Sequence, residues 1–502
     1  MLYSSTQNAS EVVSAAQAIA QGISKDGGLF VPQSFPKYDE KDFRELLKKD
    51  YKGRAEKIFS DYLTDFTAEE IEDCVEKAYT AEKFGGENPA PMAYTQLGGV
   101  DLNILELWHG PTCAFKDMAL QILPHLLTKS LKKTCDGKDA VILVATSGDT
   151  GKAALEGFKD VEHTKIIVFY PVDGVSPMQK HQMNTQEGGN VTVCAIKGNF
   201  DDAQTGVKKI FTTPSISEKL AENNMLFSSA NSINWGRLLP QIVYYISSYC
   251  DMVNERKIAF GDKINVVVPT GNFGNILASY YASLMGLPVA RFICASNSNN
   301  VLTDFINTGV YDKNRQFYTT ISPSMDILVS SNLERLLYKL SGNSDKTTRE
   351  WMTALKTGGR YEVGDDVKAV MNEKFYGGFC DDAQTKRTIS RLFEEQGYLC
   401  DTHTAVAVSV YEEYVEKTGD NTPAVIASTA SPYKFSKAVL EAVAPDAELP
   451  ETEFDMVDML NSITKMPVPA PLAGLKGKQT RFSDVTEVEK MPEYVLSALS
   501  VE

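Results

Sequence analysis

No stretch of the sequence approaches the roughly 18 to 20 consecutive apolar residues that a membrane span requires. Its first residues lack the basic-then-apolar order of a signal peptide, Lys25 being the only early base. A chain of this kind is expected in the cytoplasm, with no membrane partner. Basic charge is in deficit, 50 Lys and Arg against 66 Asp and Glu, for a net charge of −16. That balance argues against a nucleic-acid partner while leaving room for a locally basic anion site. Eight cysteines are scattered without a C-x-x-C pair, and five histidines without an i, i+4 pair. Free thiols are therefore expected, and no metal site. Short internal repeats and low-complexity tracts are absent, as is any Gly-x-Gly-x-x-Gly turn opening a helix after a strand. The fragment Gly151-Lys152 invites a nucleotide-binding reading, but that loop needs a glycine where Thr146 stands and a Ser or Thr where Ala153 stands.

What is present is enough apolar residue for a large core, 43% of 502 positions, which should divide into two or three domains. Residues up to about 91 read mainly as helices, such as 42–49 and 68–79, closed by a Gly- and Pro-rich loop. Beyond it, short β-branched runs at 140–145, 164–170, 191–196, 264–270, 289–295 and 424–428 alternate with helical patterns. That alternation predicts an α/β protein with parallel sheets covered by helices. The predicted division is a mainly helical region 1–95, a smaller α/β lobe 96–205, and a larger α/β lobe 206–502 with a helical insertion near 330–395.

Two segments carry chemistry. Lys116 lies in His109-Gly-Pro-Thr-Cys-Ala-Phe-Lys-Asp117, and Gly271-Asn-Phe-Gly-Asn275 lies between the run 264–270 and a helical pattern at 276–282. A strand-to-helix turn with glycines presents unpaired N–H groups and the positive end of a helix dipole, which suits a phosphate monoester. A lysine can hold an aldehyde as a Schiff base if its amine is partly free base. Together they predict pyridoxal 5'-phosphate as cofactor. The turn Thr146-Ser-Gly-Asp-Thr-Gly151, rich in hydroxyls and opening another helix, suits a carboxylate or a second phosphate.

The segments 110–119, 146–151 and 271–275, with Ser428-Thr-Ala-Ser-Pro-Tyr-Lys-Phe435, together resemble threonine synthases, enzymes of the fold-type II pyridoxal phosphate class. The resemblance extends to 26–32, 231–241 and 324–335. It implies two sheet-bearing lobes with the cofactor between them, and a small-molecule substrate, O-phospho-L-homoserine, converted with water to L-threonine and phosphate. The protein would be a monomer or homodimer. It places Lys116 as the Schiff-base and catalytic residue, Gly271, Asn272, Phe273, Gly274 and Asn275 at the cofactor phosphate, and the Thr429 hydroxyl at the ring nitrogen. Ser147, Asp149 and Thr150 would form one substrate anion site, with Asp149 orienting the turn; Arg237, Asn234 and Lys152 would form the other. Ser431 and Thr402 depart from the family pattern, which often has histidine and proline there. Two other readings stay open: a related dehydratase or phospholyase, and a binding protein that kept the fold without catalysis.

Overall fold

The computed structural model describes residues 1–501 apart from Asp136, Ser147 and Gly174, with the backbone alone for Phe200 and Asp201. Two sheets organise the chain. The larger runs in the order 375–379, 289–296, 264–269, 424–428, 100–106, 92–97, all parallel except the last strand, which pairs antiparallel with its neighbour. The smaller runs 485–487, 191–197, 164–171, 139–145, 225–228, entirely parallel. Val266, Val267, Val268, Ile142 and Val168 are fully buried, as expected of strands covered by helices on both faces. The predicted α/β class with two parallel sheets is the architecture observed.

The boundaries at 95 and 205 do not follow the sheets. The strand Val100–Glu106, placed with the smaller lobe by its position in sequence, pairs with Ala424–Ser428 in the larger sheet. The strands Met225–Ser228 and Val485–Glu487 belong to the smaller one. The C-terminal helix Met491–Ala498 also packs there, its buried Met491 and Val495 joining the apolar cluster that includes Val141 and Ile167. Parallel pairing joins strands far apart in sequence, so local pattern cannot assign a strand to its sheet. Residues 1–91 are mainly helical, but three short strands, Leu2–Ser5, Val12–Ser14 and Phe30–Pro32, also form an antiparallel sheet. The insertion near 330–395 contributes Phe375–Phe379 to the edge of the larger sheet.

One helix contact sets where Lys116 sits. The short helix Asp117–Leu120 lies against Asp149–Phe158, and a Cβ on Gly157 would come 2.0 Å from the Leu120 carbonyl oxygen. Only glycine permits that approach. Gly157→Ala should destabilise the protein by about 1–3 kcal/mol, the usual cost of overpacking, as read from the urea midpoint at unchanged m-value; an unchanged midpoint would show that the two helices separate without cost.

Candidate active site

The segment before Lys116 is tied to the end of the strand Ala424–Ser428. Phe115 N–H donates to the Thr429 carbonyl at 2.8 Å, Ser431 N–H to the Cys113 carbonyl at 3.1 Å, and Ala114 and Ala430 form an antiparallel bridge. Asp117 closes the loop by accepting from Thr112 N–H and Oγ1 at 2.8 and 2.7 Å. Burial pushes its carboxyl up to about 6 although both Thr112 bonds oppose the rise. The same burial pushes the Cys113 thiol to about 12, which leaves it an inert core group.

The Lys116 amine lies 3.5 Å from Ser324 Oγ and 3.8 Å from Asp149 Oδ2, with the side chain 12% exposed. Burial lowers its pKa, Asp149 opposes that, and Lys434 and Arg237 reinforce it. Ser324 is itself held from behind, its N–H donating to His403 Nε2 at 3.2 Å while His403 Nδ1–H donates to Asp401 at 2.9 Å. This arrangement assigns the His403 tautomer.

After the strand Ile264–Pro269 the chain turns through Gly271 and Asn272 to Phe273, which adopts φ +62° and starts the helix Gly274–Met285. The Gly271 carbonyl accepts from Ser330 Oγ at 2.7 Å and the Asn272 carbonyl from Asn332 N–H at 3.0 Å. A Cβ on Gly271 would lie 2.5 Å from the Ser324 carbonyl oxygen, so glycine brings this loop against the segment beside Lys116. The carbonyls are therefore occupied, while the N–H groups at the helix start face outward at the positive end of its dipole. Asn275 Oδ1 accepts from the Tyr244 and Tyr245 hydroxyls, each at 2.6 Å, and among the described residues its buried Nδ2 has no partner. The two tyrosines thereby turn Asn275 so that it offers only donors. Thr429 is buried at the end of its strand, and its hydroxyl has no partner among the described residues.

Several expected roles change. Among the described residues Asp149 makes no hydrogen bond to its own turn. Thr146 Oγ1 does, accepting from Gly148 and Gly151 N–H, both at 3.0 Å. Asp149 instead pairs with Lys434 at 2.6 Å and accepts from Gln179 at 3.1 Å. Asn234 caps the helix Trp235–Asn254: its Oδ1 accepts from Gly236 N–H and its Nδ2 donates to the Ile19 and Ser229 carbonyls, which leaves nothing for a substrate. Lys152 is taken by Glu156 at 2.9 Å and by Gln186. Ser147 lies outside the described residues, and Thr150 is half-buried on the first turn of the helix Asp149–Phe158. Arg237 is the exception. It is 4% exposed, Nη1 donates to the Ala230 carbonyl, Nε has no partner, and no carboxylate pairs with it among the described residues. Burial lowers its pKa to about 10. Lys434, Gln179, Ser324, Tyr244 and Tyr245 were not foreseen. None of these carried a local signal, since each meets its partner only through the fold.

A buried amine biased toward free base, an open helix N-terminus and an orphaned buried amide, brought together through Ser324, fit a phosphate-bearing aldehyde. Residues 84–429 match the family described as pyridoxal-phosphate dependent enzyme, which gives the class and its cofactor. The chain belongs, within that class, to the threonine synthase family. Residues 2–79 match the threonine synthase N terminus and 404–495 the threonine synthase C-terminal region. A threonine synthase of Pseudomonas aeruginosa is 36% identical, the match covering 93% of this chain and 96% of the relative. A crystal structure of pyridoxal-phosphate-bound threonine synthase from Brucella melitensis superposes with a TM-score of 0.85 at 33% identity, over 99% of each chain. Threonine synthase-like 1 of Mus musculus is 39% identical over 92% of this chain, and the match spans 62% of that relative's length.

Because burial is the largest influence on Lys116, its amine should label at a lower pH than exposed lysines of the same chain. Competitive acetylation read by mass spectrometry tests this. A midpoint equal to that of exposed lysines would contradict the described burial.

Proposed function

We propose that this protein converts O-phospho-L-homoserine and water to L-threonine and phosphate. The observation that carries the reading is Arg237, a buried guanidinium with no carboxylate partner among the described residues, close enough to influence the charge of the Lys116 amine. An unpaired buried charge is costly unless an anion completes it, and a dianionic phosphate is suited to that planar donor. Lys116 would hold the cofactor aldehyde, the N–H groups of Gly271, Asn272, Phe273, Gly274 and Asn275 with Asn275 Nδ2 would hold its phosphate, and the Thr429 hydroxyl would face its ring nitrogen. The turn Thr146–Gly151, with the Thr150 hydroxyl, receives the substrate α-carboxylate at a helix N-terminus.

When bound, pyridoxal phosphate supplies an electron-accepting ring conjugated to the substrate nitrogen, which acidifies the α-proton. The Lys116 amine, buried and biased toward the free base, is the group placed to take a proton from the substrate and to return one. The Thr429 hydroxyl, unlike a carboxylate, would not enforce a proton on a ring nitrogen held against it. Water must enter late, which a cleft between two lobes permits if it closes on substrate.

The test is phosphate release from O-phosphohomoserine measured beside threonine formation; release without threonine would mean elimination alone and would refute the proposal. Lys116→Ala should abolish turnover and the visible absorbance of the bound cofactor together, and near-normal turnover would remove Lys116 from its role. Arg237→Ala should lower kcat/KM for O-phosphohomoserine by about 1.5–3 kcal/mol or more while sparing residual deamination of serine or threonine. Equal losses for both substrates would reassign Arg237 to structure or to the carboxylate. Tyr245→Phe removes one of the two bonds that orient Asn275 and should weaken cofactor retention by about 1 kcal/mol, measured by equilibrium dialysis; unchanged retention would separate Asn275 from the phosphate.

A further inference from the structure

Lys434 is a buried lysine that the reaction as described does not use. Its side chain is 1% exposed, its Nζ donates to Asp149 Oδ1 at 2.6 Å and to the Thr112 carbonyl at 2.9 Å, and Thr112 is in turn held by Asp117. It therefore reaches from the turn after Ala424–Ser428, in the larger lobe, to the first residue of Asp149–Phe158, in the smaller one. The same Asp149 carboxylate presents its other oxygen to the Lys116 amine at 3.8 Å. One carboxylate thus stands between two lysines, and the nearer is not the one assigned to catalysis.

We propose that Lys434 is a positioning residue that occupies the Asp149 carboxylate, so that the carboxylate does not hold a proton on the Lys116 amine. The proposal rests on the reading of Lys116 given above. Coulomb energy falls with distance and rises with burial. A buried Asp149 with Lys116 alone would form a neutral pair that favours the ammonium. With Lys434 already paired, protonating Lys116 adds a second positive charge to a closed site that also contains Arg237.

The groups facing Lys116 are Asp149 from the helix 149–158, Arg237 from the helix 235–254, Lys434 from the turn 432–435 and Asp117 from its own helix, with the Ser324 hydroxyl in front. Burial is the first cause of its lowered pKa; Lys434 and Arg237 act in the same direction, Asp149 and Asp117 against it. For Asp149, burial alone would raise the carboxyl, but Lys434 and then Lys116 carry it well below the usual carboxylate range. The shorter contact, 2.6 Å against 3.8 Å, and the ordering of influences on Asp149 both give Lys434 the stronger hold.

The experiment titrates Lys116 in the full-length protein by two routes: the pH dependence of the visible absorbance of the cofactor-loaded protein, and competitive acetylation of the cofactor-free protein. Lys434→Met should move both midpoints upward by about one pH unit or more, the size of effect a neighbouring charge exerts. Asp149→Asn should move them downward, the double variant should return close to wild type, and Lys434→Arg should stay close to it. If Lys434→Met lowers Tm but leaves both midpoints in place, Lys434 is only a strap between the lobes and the proposal falls. If that variant does not fold, an unmoved midpoint in Asp149→Asn overturns the proposal equally. Should the acetylation series behave as expected while the wild type gives no visible absorbance, the cofactor role of Lys116 fails and the effect of Lys434 on its amine stands.

Discussion

Everything in the cleft depends on the short antiparallel pairing of residues 113–115 with 429–431. It fixes the Lys116 segment to the C-terminal end of a central parallel strand through two backbone hydrogen bonds, which together form the Ala114–Ala430 bridge. Ligands of α/β proteins gather at such strand ends. Because backbone makes the attachment, side chains there remain free for other work: Lys116 projects toward Ser324 and Asp149, and the Thr429 hydroxyl stays uncommitted among the described residues. The turn that follows, residues 432–435, places Lys434 within reach of the smaller lobe. A single attachment thus aligns the amine, a strand-end hydroxyl and the buried cation.

A second constraint comes through Ser324. Its backbone N–H is held by His403, its carbonyl fits against Gly271, and its hydroxyl faces Lys116. The glycine loop and the lysine are therefore not independent features that happen to adjoin. Displacing the loop would move the residue in front of the amine, and the two tyrosines behind Asn275 resist such displacement from the other side.

Strands buried on both faces were legible in the sequence because a short, continuous β-branched run bounded by turn residues suits a fully covered strand better than a surface helix or a loop; Ile264–Pro269 and Ala424–Ser428 lie where those runs stand. The strand Phe375–Phe379 was not, since two glycines in five residues lower its β-propensity and its single neighbour in the sheet comes from distant sequence. The three N-terminal strands are only three or four residues long, too short for a period to register. Among site residues, an asparagine that caps a helix cannot be told by type from one that binds substrate, which is why Asn234 was misplaced. For Lys152 a local signal existed in Glu156, one turn on. Lys434 could not be foreseen, because its partner, Asp149, lies on a different lobe and lysine is rarely buried.

The electrostatics of the cleft oppose those of the chain. A protein of net charge −16 concentrates Lys116, Lys434, Arg237 and two helix N-termini in one buried region, against Asp149 and Asp117. Free anions would be repelled by the acidic surface at long range, but that repulsion is screened within about 10 Å in ordinary salt, whereas buried charges are screened far less. The local field therefore governs what is held inside. The same excess of positive charge also disfavours a proton on Lys116. On the proposed reading, one arrangement of cations serves two requirements that would otherwise conflict: it receives a substrate with two anionic ends, and it keeps the amine between them in the form that can bind an aldehyde and accept a proton. Asp149 is what makes this possible, since without a paired carboxylate three buried cations could not be held so close together.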